Sequence, residues 1–195
     1  STTSKPRKLS CFMFNSQSVC NKLIELNILL NTSDVDIVCI TESWLKPTVP
    51  DSVIANLDLF TVWRNDRVGR SGGGVCIITR NLTVTASVVH VQNIIDDDEA
   101  EAEICALDLH YALSCIRMIC VYRPPASDTC PKAFRSTKLL VSCLSSLCDC
   151  SIPVVLVGDF NLPNVDWSSS CIISDSDRCS VKFSMFAAKH ALDQY

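Results

Sequence analysis

Pro153-Val154-Val155-Leu156-Val157-Gly158-Asp159-Phe160-Asn161 is an apolar run of strand length that ends abruptly in Gly-Asp-Phe-Asn. Its apolar residues are mostly β-branched, and a continuous run of this kind reads as a strand buried on both faces. On that reading Val155→Asp should be severely destabilising, because it sets an unpaired charge between packed layers. Asp159 and Asn161 stand where the strand surfaces, and a carboxylate and an amide at a strand's carboxyl end are site candidates. Ile37-Val38-Cys39-Ile40 passes in the same way into Thr41-Glu42-Ser43-Trp44. Two buried strands each deliver one acid to a rim.

At 195 residues the chain suits one domain, large enough to bury a core without staples. Hydrophobic residues make up 48% and charged residues 19%, and the mean hydropathy is +0.25, a globular composition. Charge or proline breaks every apolar run short of the roughly 18 residues a membrane span needs, and the amino end does not read as a secretory signal. No membrane association is expected. Ser1 to Ser10 is polar and basic without an initiating Met, so residues 1–7 are expected to be a tail and the chain a fragment of a longer one. The 13 cysteines are odd in number and several fall inside apolar strands (Cys39, Cys76, Cys105, Cys120). Free buried thiols in a reducing, intracellular compartment fit this better than a disulfide framework. Cys148 and Cys150 lack the spacing and histidine partners of a zinc site. A formal charge of −4 speaks weakly against coating nucleic acid by bulk charge and does not exclude a divalent-metal nuclease, whose cations reverse the local sign.

Lys8 to Phe14 reads as a first strand, and Ser18 is placed to cap a helix carrying Val19, Leu23, Leu26, Leu29 and Leu30 at helical spacing. Asp36 to Ile40 follows as a second strand, compatible with a parallel crossover. Further strands are expected at 60–63, 75–79, 82–91, 103–110 and 116–122, the last stopped by Pro124-Pro125. Asp96-Asp97-Asp98-Glu99 reads as a solvated hairpin tip. Pro131 opens a helix to about Cys148, residues 168–176 form a polar loop, and a last helix runs from Arg178 to about Leu192. Gly72-Gly73-Gly74 precedes a strand, whereas phosphate-cradling glycines follow one, so it reads as a tight loop. Trp44 and Trp63 read as core rather than as base-stacking platforms, and Arg123-Pro124-Pro125 as a rigid turn that aims Tyr122. Mixed strands with interspersed helices imply an α/β fold, two packed mixed β-sheets flanked by helices in a four-layer sandwich.

Asn15, Glu42, Tyr122, Asp159 and Asn161 all fall at strand ends or just beyond. This set, in this order, resembles the endonuclease/exonuclease/phosphatase superfamily. The surrounding words Asn15-Ser16-Gln17-Ser18, Ile40-Thr41-Glu42-Ser43-Trp44-Leu45, Arg67 through Gly72-Gly73-Gly74-Val75, Tyr122-Arg123-Pro124-Pro125 and Gly158-Asp159-Phe160-Asn161 resemble the apurinic-endonuclease-like domain of non-LTR retrotransposons. The resemblance spans about residues 8–195.

It implies metal-assisted phosphodiester hydrolysis that nicks DNA and leaves a 3′-hydroxyl to prime reverse transcription. Glu42 would bind Mg²⁺, with Mn²⁺ as a substitute, and Asn15 beside it would hold a metal-bound water or a phosphate oxygen. Asp159 would orient and deprotonate the attacking water, Asn161 would fix Asp159 and the phosphate in line, and Tyr122 would donate to a phosphate oxygen. Arg64, Arg67 and Arg70 either contact DNA phosphates or form a solvated loop. Expected partners are DNA, the reverse transcriptase domain of the same polyprotein and the element RNA, at the target in the nucleus. The family pattern also has a late Asp and a final Ser-Asp-His. Neither is recognisable here, since Ser174-Asp175 and Ser176-Asp177 run on to Arg178 and His190 falls on the apolar side of a helix. The domain is therefore expected to lack its last strands. The alternatives are a phosphatase or lipid phosphodiesterase of the same superfamily, or a degenerate, non-catalytic DNA-binding remnant.

Overall fold

The computed structural model describes residues 8–90, 102–126, 130–168, 171–174 and 177–194. The acidic run 96–99, four of the nine residues of the Ser/Asp loop (169, 170, 175 and 176) and the 1–7 tail lie outside them.

The first sheet contains β1 (Cys11–Asn15), β2 (Ile37–Thr41), β3 (Phe60–Asn65) and β4 (Val75–Arg80) in the order β1-β2-β4-β3. β1 runs parallel to β2, and the other pairs are antiparallel. The second sheet places β5 (Thr85–Val88), β6 (Glu103–Tyr111), β7 (Ser114–Tyr122) and β8 (Val154–Asp159) in chain order, antiparallel except for the parallel pair β7–β8. Four helices complete the described fold: α1 (Leu23–Thr32), the single turn α2 (Asp51–Ile54), α3 (Pro131–Cys148) and α4 (Arg178–Lys189).

Alternation along the strands explains why their apolar runs are continuous. Val38 and Ile40 of β2 pack with Cys76 and Ile78 of β4 under Leu26 and Leu30 of α1. Ile37 and Cys39 point the other way, into a layer between the sheets shared with Ile77, Leu107, Leu109, Met118 and Cys120. On the far side, Ile119 and Val121 of β7 meet Leu140 and Leu144 of α3 and Phe183 and Phe186 of α4. The order is helix, sheet, sheet, helices, the four-layer α/β sandwich expected. All twelve cysteines with described side chains are free thiols, and no helix among the described residues is long and apolar enough to cross a membrane.

Three local expectations change. Among the described residues β8 is the last strand of its sheet and pairs only with β7; Val154 and Leu156 face the helices and Val157 the layer between the sheets, but each is only partly buried and Val155 is 37% exposed, so neither face is fully covered. Val155→Asp therefore places its charge where water reaches it. Ser18 does not cap α1, because its backbone is left-handed (φ 91°) and its side chain makes no capping bond. A 3-10 turn (Val19–Asn21) intervenes and α1 starts at Leu23. The strand expected from Leu82 begins only at Thr85, since residues after Arg80 form a turn closed by Thr83 and Val84 N–H groups on the Arg80 carbonyl. Unforeseen in the polar loop is a two-residue hairpin, β9 (Val165–Asp166) with β10 (Cys171–Ile172).

Candidate active site

The carboxyl ends of β1, β2, β7 and β8 converge on one edge of the sandwich. Asn15, the last residue of β1, joins the two sheets there. Its amide Nδ2 donates to Glu42 Oε1 at 2.9 Å and to Asp159 Oδ2 at 3.1 Å. Two carboxylates from different sheets thus share one nitrogen, and Asn15 is exposed. Its carbonyl oxygen is taken by the Gln17 N–H at 3.1 Å, so it presents N–H groups, not oxygen, to the acids.

Glu42 sits just past β2 in a left-handed conformation (φ 50°), which a bulky side chain adopts only where surrounding bonds hold it. Those bonds are present. The Ser18 and Val19 N–H groups reach the Glu42 and Ser43 carbonyls at 3.0 and 2.9 Å, while Ser43 and Trp44 N–H donate to Gly74 and Gly73 at 3.1 and 2.9 Å. The glycine triplet is the loop that receives this segment. A Cβ on Gly74 would lie 2.6 Å from the buried Ser43 Oγ. Trp44, expected in the core, is exposed beside Glu42, and its indole N–H donates to Glu42 Oε2 at 3.2 Å. Trp63 does pack between the sheets.

Asp159 is carried by the outer strand β8 and is positioned by its neighbours. Gly158 has φ 154°, and a Cβ there would fall 2.0 Å from the Val121 carbonyl oxygen, so only glycine lets β8 close on β7 at this point. Arg123 is almost fully buried. Its Nη1 donates to the Asn161 and Phe160 carbonyls at 2.8 and 3.2 Å, and its Nε to Thr137 Oγ1 at 3.1 Å. Asn161, also left-handed (φ 46°), returns its amide to the Arg123 carbonyl at 2.8 Å, and its N–H meets Asp159 Oδ1 at 3.3 Å. The Tyr122-Arg123-Pro124-Pro125 turn and Gly158-Asp159-Phe160-Asn161 are two halves of one clamp. Phe160 adds an apolar anchor, 4.7 Å from the Phe183 ring of α4.

Tyr122 stands in register between Glu103 of β6 and Asp159 of β8, which makes a polar row across the second sheet. Burial and the charge of Glu42 push its hydroxyl up to about 12, against the pull of Arg67. It is a proton donor throughout the physiological range. Arg67 forks onto Glu103, Nε to Oε1 and Nη2 to Oε2 at 3.0 Å, with its guanidinium 5.4 Å from the Tyr122 ring centre. Burial raises the Glu103 carboxyl above its ordinary value, opposed by Arg67 and by a backbone bond from Gly74.

Of the three arginines expected either to contact DNA phosphates or to form a solvated loop, two turn inward. Arg64 binds Asp66, Asp51 and the Val49 and Lys46 carbonyls, and Arg67 serves Glu103; Arg70 is exposed. His190 closes α4 and lies 5.1 Å from the Phe186 ring, a packing position. Asp177 caps α4, accepting from Cys179 N at 2.9 Å and from Ser180 Oγ and Asn164 Nδ2. Glu103 and Trp44 are the site-bordering residues that sequence reasoning did not assign there. Glu103 needed the strand register, and Trp44 needed the loop path that keeps it out of the core.

The donor set is oxygen-only and open. Among the described residues no three His, Cys, Asp or Glu side chains gather into a metal cage. Two carboxylates bridged by an amide on an accessible rim do match a hard divalent cation, such as Mg²⁺, that takes one or two protein carboxylates and fills its remaining positions with water and phosphate.

A family model described as endonuclease-reverse transcriptase matches residues 116–195. No curated protein matches the chain. Among solved structures it is similar to the 3′ phosphatase NExo from Neisseria bound to a product DNA hairpin (TM-score 0.66, 17% identity, covering 91% of this chain and 70% of that one). It is similar also to an AP endonuclease from Archaeoglobus fulgidus (0.62, 16%, 91% and 70%) and to humanized D. rerio TDP2 (0.57, 11%, 86% and 68%). At these identities the likeness is one of fold.

Proposed function

We propose, from the nuclease/phosphodiesterase fold of the endonuclease/exonuclease/phosphatase superfamily that this chain has, that it hydrolyses DNA phosphodiesters in a Mg²⁺-dependent reaction and leaves a 3′-hydroxyl. The observation that carries this reading is Asn15 bridging Glu42 and Asp159 beside a protonated tyrosine. Glu42, with Asp159 next to it, would hold the cation, Mg²⁺ or Mn²⁺, which when bound neutralises phosphate charge and stabilises the leaving oxygen.

The chain's own residues account for the rest. Asp159 accepts a proton from the attacking water, whose oxygen bonds to phosphorus as the bond to the 3′ oxygen breaks; the leaving 3′ oxygen takes its proton from solvent water. Asn161, clamped by Arg123, fixes the loop that aims Asp159. The Tyr122 hydroxyl, held neutral by burial, donates to a phosphate oxygen as charge grows on it. Asn15 keeps both acids at the working distance, the kind of positioning on which hydrolysis rates depend steeply. Arg70 is the arginine of its loop that reaches the surface and is the one assigned to DNA phosphate.

The match to an endonuclease-reverse transcriptase model supports placing the nick in a retrotransposon context. There the 3′-hydroxyl would prime a reverse transcriptase of the same polyprotein on the element RNA, in the nucleus. The test is end chemistry. A duplex cut by the protein in Mg²⁺ should be extended by a DNA polymerase with no end treatment. Products that need a phosphatase first would contradict a priming nuclease, and release of phosphate alone would favour a phosphomonoesterase.

A further inference from the structure

The three tryptophans are used differently. Trp63 is packed between the sheets and donates to Thr79 Oγ1 at 3.0 Å. Trp167 lies 5.9 and 6.0 Å from the Phe160 and Phe183 rings. Trp44 belongs to none of the three hydrophobic clusters and is 44% exposed. Packing does not explain it, although holding it is costly: its backbone is left-handed (φ 52°), which is unfavourable for a bulky aromatic.

What fixes it is the site. Its N–H is bound to the Gly73 carbonyl and its indole N–H to Glu42 Oε2. The polar edge of the ring is committed to the acid that the proposed reaction needs, and apolar ring surface is left to solvent beside it. A π-face at that place suits one chemistry, a flat heterocycle attached within a nucleotide's length of the phosphate being cut.

We infer that Trp44 is a stacking platform for one nucleobase of the strand being cut, hinged to Glu42 so that seating the base and placing the phosphate occur together. This rests on the nuclease reading above and adds to it a base-stacking subsite. Stacking of this kind tolerates any base, so it fixes the strand's position without selecting sequence.

The test is binding in EDTA, where nothing is cut. A labelled oligonucleotide duplex is titrated with the full chain and with Trp44→Ala and Trp44→Phe, first intact and then with a single tetrahydrofuran abasic position stepped along the cut strand. One abasic position should weaken wild-type binding roughly ten-fold, leave Trp44→Ala changed less than about two-fold, and weaken Trp44→Phe like wild type. That loss of coupling is a signature a merely structural tryptophan does not give. An equal penalty in wild type and Trp44→Ala, or no position with a penalty, overturns the inference. Mg²⁺-dependent cutting that disappears in Asp159→Ala keeps the nuclease reading standing in either case. A folded chain that neither binds nor cuts DNA brings both down.

Discussion

β2 and β8 have nearly the same sequence character and opposite surroundings. Each is a short β-branched run that ends in an acid. β2 lies inside its sheet with Val38, Cys39 and Ile40 essentially inaccessible, under α1 on one face and against the second sheet on the other. β8 borders its sheet and leaves Val155 partly in water. Glu42 is therefore placed by the packing of the strand beneath it, reinforced by the glycine loop. Asp159 rides on a strand with one neighbour among the described residues and owes its position to three devices: the close approach at Gly158, the Arg123 clamp, and Phe160 lodged against α4. An apolar run reports that a strand is covered somewhere. It does not report whether the strand has one neighbour or two.

Substitutions that act on one strand only can break this contrast. The largest effect is expected at Gly158→Ala, where the new methyl collides with the Val121 carbonyl, a backbone atom that cannot step aside. We expect a loss above about 4 kcal/mol or failure to fold, read by denaturant unfolding; a mild effect would show that β7 and β8 have slack between them. Next is a pair. Ile40→Ala in β2 should cost about 2–5 kcal/mol because it empties a fully buried volume, while Val155→Ala in β8 should cost under about 1 kcal/mol because water already reaches the side chain. Equal costs would mean that β8 is as covered as β2.

A more modest effect than at Gly158 or Ile40 concerns the brace behind Asp159. Asp177→Ala removes the cap of α4 and should cost about 1–2 kcal/mol. Burial works to raise the Asp177 carboxyl, but its bonds from Ser180, Asn164 and Cys179 outweigh burial and hold it below the ordinary carboxylate value. A lowered value in the folded state means that this contribution is complete above the unfolded carboxylate pKa and is lost as pH falls through the lower folded one. The difference in stability between wild type and Asp177→Ala should thus be flat from pH 7 to about pH 5 and shrink in stronger acid. A difference that shrinks instead as pH rises would contradict the sign.

Much of this architecture was legible in the chain. Runs such as Ile37–Ile40 must be covered twice, which sets up layers, and the acids Glu42 and Asp159 announced themselves by ending such runs. Other features depended on partners remote in sequence. That Glu103 stands opposite Tyr122 follows from the β6–β7 register, and the inward turn of Arg67 follows from an acid 36 residues away, while Arg64 is held by Asp66 nearby as well as by Asp51 13 residues back. Ser18 looked like a cap because serine before an apolar helix usually is one. Here its backbone was needed to bind the Glu42 loop, and the helix started later. Trp44 looked like core on frequency alone, whereas the left-handed path through Glu42 and Trp44 carries it to the rim.

The central claim is that Glu42 and Asp159 form one hydrolytic centre. Its most direct test is relaxation of supercoiled plasmid by the purified protein in Mg²⁺ and in EDTA, beside Glu42→Ala and Asp159→Ala of matched fold by circular dichroism. We expect nicking in Mg²⁺ only, reduced at least about a thousand-fold in each variant, a barrier rise of roughly 4 kcal/mol. Nicking that survives in EDTA or in either variant, or a folded wild type that leaves the plasmid intact in Mg²⁺, would contradict it.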